Sequence, residues 1–175
     1  MSCPGPQILT ERLLLRPAVP DDVDGIYRMT CAPEAHRFLG MTPSIDDSFM
    51  RFLRGVGCWA LYGFGPFSVL DRHSGELVAS VGHFMARRGM GEDFDLHPEA
   101  GWVVDPAHWG KGIAHEAARA SQDWLDSAIA PLRMVCMISP GNAASHRVAL
   151  RLGYRETGRA EYKNEAVVLY ARTRD

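Results

Sequence analysis

The sequence predicts an α/β fold: one mixed sheet of about seven strands, with about four helices, in a single domain spanning residues 1–175. Three observations carry this. Residues 99–105 read as a strand, 106–112 as a tight loop, 113–129 as an amphipathic helix and 132–139 as an almost unbroken apolar strand. Strand, helix, strand calls for a right-handed crossover between parallel neighbours. Residues 66–70 and 77–85 are apolar runs around the polar, glycine-containing stretch 71–76, which is the pattern of a β-hairpin. Residues 154–161 and 166–172 read as two further strands joined near Lys163 and Asn164.

The remaining elements follow in order. At residues 10–18, Leu13, Leu14 and Leu15 lie between Arg12 and Arg16 and end at Pro17, a short strand. Pro20, Asp21 and Asp22 open a helix, because carboxylates suit a positive first turn. Val23, Ile26 and Tyr27 line its apolar face, and Pro33 interrupts it. Residues 33–43 read as a loop, with residues such as Phe38, Gly40 and Met41. Ser44 is an N-cap before Ile45, and Phe49, Phe52 and Leu53 continue a helix to about Arg54. Gly55 and Gly57 are expected to end it. Residues 59–64 are a short aromatic stretch. Residues 86–97 mix glycine and charge without period, as a mobile loop does. In the long helix Ile113, Ala117, Ala118, Ser121, Trp124 and Leu125 recur at three- and four-residue spacing. Pro131 stops it. The run with Met134, Val135, Cys136, Met137 and Ile138 reads as a strand buried on both faces. After Asn142 a helix runs from Ala143 to Leu152 and closes at Gly153.

Composition limits the function classes. Apolar residues make up 46% of the chain, enough for one core. A net charge of −2 argues against nucleic-acid binding. Cys3, Cys31, Cys58 and Cys136 form no C-x-x-C pair and read as free thiols in a reducing compartment. The histidines show no H-E-x-x-H spacing, so no metal is expected. Residues 1–7 resemble no signal peptide and are expected to fray, and no apolar run reaches membrane-spanning length. The expectation is a cytoplasmic protein, with no membrane partner.

The chemistry gathers at His108-Trp109-Gly110-Lys111-Gly112. Glycines let a backbone approach a ligand closely, and the helix behind them offers unpaired N–H groups with partial positive charge. Loop and helix together make an anion site suited to a pyrophosphate. A P-loop is excluded, because Gly112 follows Lys111 where Ser or Thr is needed. A dinucleotide fingerprint is excluded too, because His115 stands where its third glycine belongs.

The string Trp109-Gly110-Lys111-Gly112-Ile113-Ala114 resembles the pyrophosphate loop of the GNAT superfamily of N-acetyltransferases, Gln/Arg-x-x-Gly-x-Gly/Ala, with Trp109 departing from Gln/Arg. The wider string from Gly101-Trp102-Val103-Val104-Asp105-Pro106 resembles the RimJ/RimL branch, which acetylates ribosomal-protein N-termini. So does the opening Thr10-Glu11-Arg12-Leu13-x-Leu15-Arg16. Asn142-x-x-Ser145, ending in Leu152-Gly153-Tyr154, resembles a second GNAT segment. The resemblance covers residues 8 to about 172. It implies a twisted, mostly antiparallel sheet around the parallel crossover, and direct acetyl transfer from acetyl-CoA to an amine in a ternary complex. It also implies a pocket for the acceptor, a protein N-terminus or small-molecule amine, partly built by the segment between the first two helices. The enzyme is expected as a monomer or homodimer.

Site roles carried over from the resemblance are these. Gly110, Lys111, Gly112, Ile113 and Ala114 take the pyrophosphate, and Trp109 is a packing or adenine-edge residue. Val103, Val104 and Asn142 flank the pantetheine, with the N–H of Val103 or Val104 as oxyanion donor. Arg147 reaches CoA phosphates or is simply solvated. Glu99 is the general base, directly or through water, with His97 as runner-up. Many relatives place an acidic Tyr seven residues after the Asn, but here that residue is Ala149. Ser145 is then the acid, or merely part of the helix start. A CoA-binding sensor without catalysis is the alternative function.

Overall fold

A computed structural model describes residues 5–39 and 44–174. Eight strands form one sheet: β1 (Ile8–Leu9), β2 (Leu13–Pro17), β3 (Pro66–Asp71), β4 (Leu77–Phe84), β5 (Glu99–Val104), β6 (Arg133–Ile138), β7 (Arg155–Tyr162) and β8 (Glu165–Thr173). Their spatial order is β1-β2-β3-β4-β5-β6-β8-β7. Every neighbouring pair is antiparallel except β5 and β6, which are parallel. Among the described residues six α-helices accompany the sheet: α1 (Val23–Cys31), α2 (Pro33–His36), α3 (Ile45–Tyr62), α4 (Glu92–Asp95), α5 (Ile113–Ala128) and α6 (Ala143–Arg151). Helix α5 is the crossover between β5 and β6.

Three differences from the sequence expectation have physical causes. The extra strand, β1, is only two residues long and pairs at the edge with Leu14 and Leu15, too short to carry a period. Residues 33–36 and 92–95 form single helical turns in stretches read as loops. Helix α3 runs through Gly55 and Gly57 and ends at Gly63, whose φ of +73° is the left-handed cap. Helical glycines cost roughly 1 kcal/mol each relative to alanine. Gly55 is retained because a Cβ there would stand 2.7 Å from Pro66. Ser44 does cap this helix, accepting from the Asp47 N–H.

Of the expected fraying at residues 1–7, residues 1–4 lie outside the described residues. Gly5 is seated against Pro17 and Trp59. Gly40 and Met41 of the expected acceptor segment also lie outside, as does Cys3. No described helix is long and apolar enough to cross a membrane.

Alternation along the strands separates two faces. Phe67, Val81, Ala100 and Trp102 point toward α5 and α6, where Ala117, Ala118, Leu125, Leu152 and Tyr154 complete the core. Ser68, Phe84, Glu99 and Gly101 point the other way, toward α1 and α3. Asp22 pins that second layer. It is buried and accepts from Arg16, the Val19 N–H and Ser68. Burial pushes its carboxyl pKa up, but these bonds outweigh burial and hold it below the ordinary value.

Candidate active site

The site is an opening in the sheet. Strands β5 and β6 register only at Glu99 and Val135, where the Val135 N–H also donates to the Pro98 carbonyl. Beyond that point they part. The peptide groups that face the opening can be named. Asp105 N–H bonds the Val78 carbonyl in β4, and antiparallel bonding alternates, so Val103 and Gly101 also turn their peptide groups to β4. Trp102 and Val104 turn theirs to the opening. Of the two oxyanion donors expected from the sequence, Val104 therefore faces the opening and Val103 does not. Trp102 joins it, a position the sequence reading missed because strand partners were unknown there.

At the far end of the opening lies the glycine loop. Gly110 and Gly112 have φ of +74° and +79°, left-handed values that other residues adopt at a cost. Gly112 is the N-cap of α5, and the Glu116 N–H is the first to find a helical partner, the Gly112 carbonyl. The N–H groups of Ile113, Ala114 and His115 are those that a helix start leaves unpaired. Among the described residues, leaving out its two chain neighbours, no heavy atom lies within 4 Å of where a Gly110 Cβ would stand, so the loop is an open cradle. These features fit a pyrophosphate.

The loop is anchored on both sides. The Trp109 indole Nε1 donates to the Val104 carbonyl at 2.8 Å. Trp109 thus ties the loop to the end of β5, a polar role beyond the packing expected for it. Arg12 donates to the Lys111 carbonyl at 2.9 Å and pairs with Glu116 at 2.6 Å, while the Thr10 hydroxyl donates to Glu116. Burial raises the Glu116 pKa, but Thr10 and Arg12 outweigh it and hold the carboxyl below its ordinary range. The Thr10-Glu11-Arg12 opening of the chain is therefore a latch on this loop.

Asn142 and Ser145 start α6. The Asn142 side chain accepts from the Ser145 N–H at 3.1 Å. The Ser145 hydroxyl accepts from the Trp102 indole at 3.0 Å. An oxygen that already accepts there has its own proton free to donate elsewhere. His146 braces the same helix start, with Nδ1 2.8 Å from the Tyr170 hydroxyl. Arg147 is exposed.

Glu99 is buried and its two oxygens are gripped by the Arg88 fork, Nε at 2.6 Å and Nη2 at 2.8 Å. The sequence placed Arg88 in a mobile, solvated loop. Instead Asp95 turns inward and accepts from the N–H groups of Arg88, Gly89 and Met90, fixing that loop. His97 is half-buried beside Glu99 in sequence. Glu99 sits on the α1/α3 face and Ser145 on the α5/α6 face. The opening gives side chains on opposite faces of a sheet access to one group.

Between α5 and strands β4 and β5, a cavity of about 10 Å³ is bordered by His83, Ser121, Gln122 and Tyr154. His83 is fully enclosed, and burial pulls its pKa down to about 4.

An acetyltransferase (GNAT) domain model matches residues 12–155, and the chain belongs to this family. The uncharacterized N-acetyltransferase p20 of Bacillus licheniformis is 26% identical over 86% of this chain and 83% of its own. A GnaT-family acetyltransferase of Bordetella pertussis is 33% identical, superposes with a TM-score of 0.86, and is covered over 99% of its length by 96% of this chain. At 20% and 18% identity only the fold is shared with two further structures. They are the ribosomal-protein-S5-alanine acetyltransferase of Vibrio fischeri (TM-score 0.74, 97% of each chain) and AAC(6')-Ib in complex with CoA (TM-score 0.74, 93% of this chain and 95% of that one). The protein is thus an acetyltransferase with the family's mixed sheet.

Proposed function

We propose that this enzyme transfers acetyl from acetyl-CoA directly to a primary amine, as the RimJ/RimL-type branch does, without a metal and in the cytoplasm. The observation that carries the reading is the opening between β5 and β6, with a glycine cradle at one end and Glu99 and Ser145 on opposite faces.

In this reading Gly110, Lys111, Gly112, Ile113 and Ala114 hold the pyrophosphate. Val104 and Trp102 present N–H groups to the pantetheine and to the thioester oxygen, where charge develops during transfer. Asn142 bonds the pantetheine when not capping its helix, and Arg147 reaches outer phosphates. Glu99 draws a proton from the ammonium through a water, since Arg88 leaves further lone pairs on each carboxylate oxygen. Ser145, oriented by Trp102, gives its proton to the departing sulfur.

The test is thiol release from acetyl-CoA across a panel of amines, with products identified by mass spectrometry. Free CoA appearing with an acetylated amine is expected. Acetyl-CoA binding without transfer to any amine would overturn the reading.

A further inference from the structure

We infer that Arg88 and Asp95 are positioning residues for proton removal: Asp95 fixes the loop between β4 and β5, and the Arg88 fork on that loop holds the Glu99 carboxylate in place at the opening. This rests on the reading of Glu99 as the base and says what makes that base competent.

Glu99 needs a holder. Its side chain turns about three torsions, and an isolated carboxylate is costly to keep charged away from water. The Arg88 fork meets both needs. The side chains of Arg88 and Glu99 are only 11% and 6% exposed. Nε reaches one carboxylate oxygen and Nη2 the other, so the plane of the carboxylate is set as well as its place. Burial pulls the Arg88 pKa down, but its bonds to Glu99 outweigh burial and hold it above the ordinary value. The holder therefore stays a cation.

Arg88 could not aim a carboxylate from a loose loop, and glycines on either side of Met90 loosen this one. Gly89 and Gly91 have φ of +75° and +92°. The loop is fastened instead at several points. The Asp95 carboxylate accepts from three successive backbone N–H groups, Arg88 at 3.1 Å, Gly89 at 2.8 Å and Met90 at 3.3 Å. Next to it Phe94 is buried with Val135 of β6 and Ala171 of β8, and Met90 packs against them. Asp93 pairs with Arg133 of β6 at 3.0 Å. The far side of the guanidinium is covered as well. It stands 4.8 Å from the ring of Tyr162, which ends β7 at a two-residue turn, Lys163 and Asn164, both left-handed.

Stability alone gives little reason for this construction. Apolar residues in place of a buried ion pair are often neutral or stabilising. Catalysis gives a reason, because a group that moves a proton has to stand within hydrogen-bond reach of it. Asp95 spends its oxygens on backbone N–H groups, so its influence on Glu99 passes through Arg88.

The experiment takes the amine that the panel above shows to be acetylated fastest. It measures kcat, KM and, by calorimetry, acetyl-CoA affinity, with circular dichroism to count folded enzyme. The variants are Arg88→Gln, Arg88→Lys, Asp95→Asn, Glu99→Gln and the double variant Arg88→Gln with Glu99→Gln. Arg88→Gln should lower kcat roughly 100-fold, the cost of displacing a reacting group by about 1 Å, while acetyl-CoA affinity stays within about twofold. Arg88→Lys, which returns the charge without the fork, should recover part of that loss. Asp95→Asn puts a donor against the N–H groups of Gly89 and Met90 and should lower kcat in the same way, by less. In the double variant the change at Arg88 should cost less than about twofold beyond Glu99→Gln, because no base is left to position. The double variant also leaves no buried charge unpaired. Should Arg88→Gln fail to fold, Arg88→Lys and the double variant carry the comparison. Wild-type kcat in both folded Arg88 variants and in Asp95→Asn, or a loss at Arg88 that persists in full once Glu99 is glutamine, would overturn the inference and leave Glu99 as the base. Near-normal turnover of Glu99→Gln would overturn the base reading, and the inference with it.

Discussion

The two ends of the opening between β5 and β6 are built from different materials. The far end is backbone: two left-handed glycines, a helix start, and peptide groups of Trp102 and Val104. The near end is side chain: Glu99, Arg88 and Tyr162, drawn from distant segments. A backbone site needs a conformation and tolerates many side chains. A side-chain site changes its ligand with single substitutions while the fold stays. The difference suits a common cosubstrate at one end and a particular acceptor at the other.

The largest expected effect is at the side-chain end. Glu99→Gln should lower kcat roughly 10²- to 10⁴-fold, the range for loss of a general base. Activity should recover in part at high pH, where free amine is present without help. The variant leaves Arg88 without its buried partner, so a melting curve must accompany the kinetics. Near-normal turnover at pH 7 would move the base to His97.

Acidification probes the packing between β4 and α5. The His83 pKa of about 4 lies below its ordinary 6.5. The unfolded chain therefore takes up a proton that the folded one refuses as pH falls from 6.5 toward 4. Stability should be full above that window and drop by about 2 kcal/mol by pH 4.5. Urea unfolding at pH 7.5 and 4.5 measures this, and His83→Gln should flatten the difference. An unflattened difference would assign the loss to other groups.

Ser145→Ala should slow transfer at every pH, by less than Glu99→Gln does and with no alkaline rescue, since it removes a proton donor to sulfur. Trp102→Phe frees that hydroxyl to turn and should give a smaller loss in kcat, with acetyl-CoA affinity unchanged within about twofold. Equal, pH-independent activity for wild type and Ser145→Ala would mean that positioning alone suffices.

The smallest effect is expected at Trp109. Trp109→Phe keeps an aromatic ring but loses the bond to the Val104 carbonyl. Acetyl-CoA affinity should fall by about 1 kcal/mol, the net worth of such a bond. No change in a calorimetric titration would return Trp109 to simple packing.

What the sequence could reveal divides along the same line. The glycine loop, its helix and the Asn142 turn were legible because their signals are local and fixed in spacing. The hairpins and the crossover were legible for the same reason. The length of α3 was not, because Gly55 is kept by contact with Pro66, far along the chain. The Arg88 pairing was hidden inside a stretch whose charges looked solvated. Which strand residues face the opening depends on β4 pairing, which alternation alone does not decide.

The claim that the glycine loop takes a pyrophosphate is tested most directly by two ligands and one variant. Calorimetry should compare acetyl-CoA with acetyl-pantetheine, which lacks the pyrophosphate, on wild type and on Gly112→Val, with circular dichroism to verify folding. Wild type should bind acetyl-CoA roughly 100-fold tighter or more, the worth of two charge-assisted hydrogen bonds. Gly112→Val, which puts a branched side chain on a left-handed residue of the cradle, should bind both alike. Equal affinity of wild type for the two ligands, or an undiminished difference in the folded variant, would contradict the account.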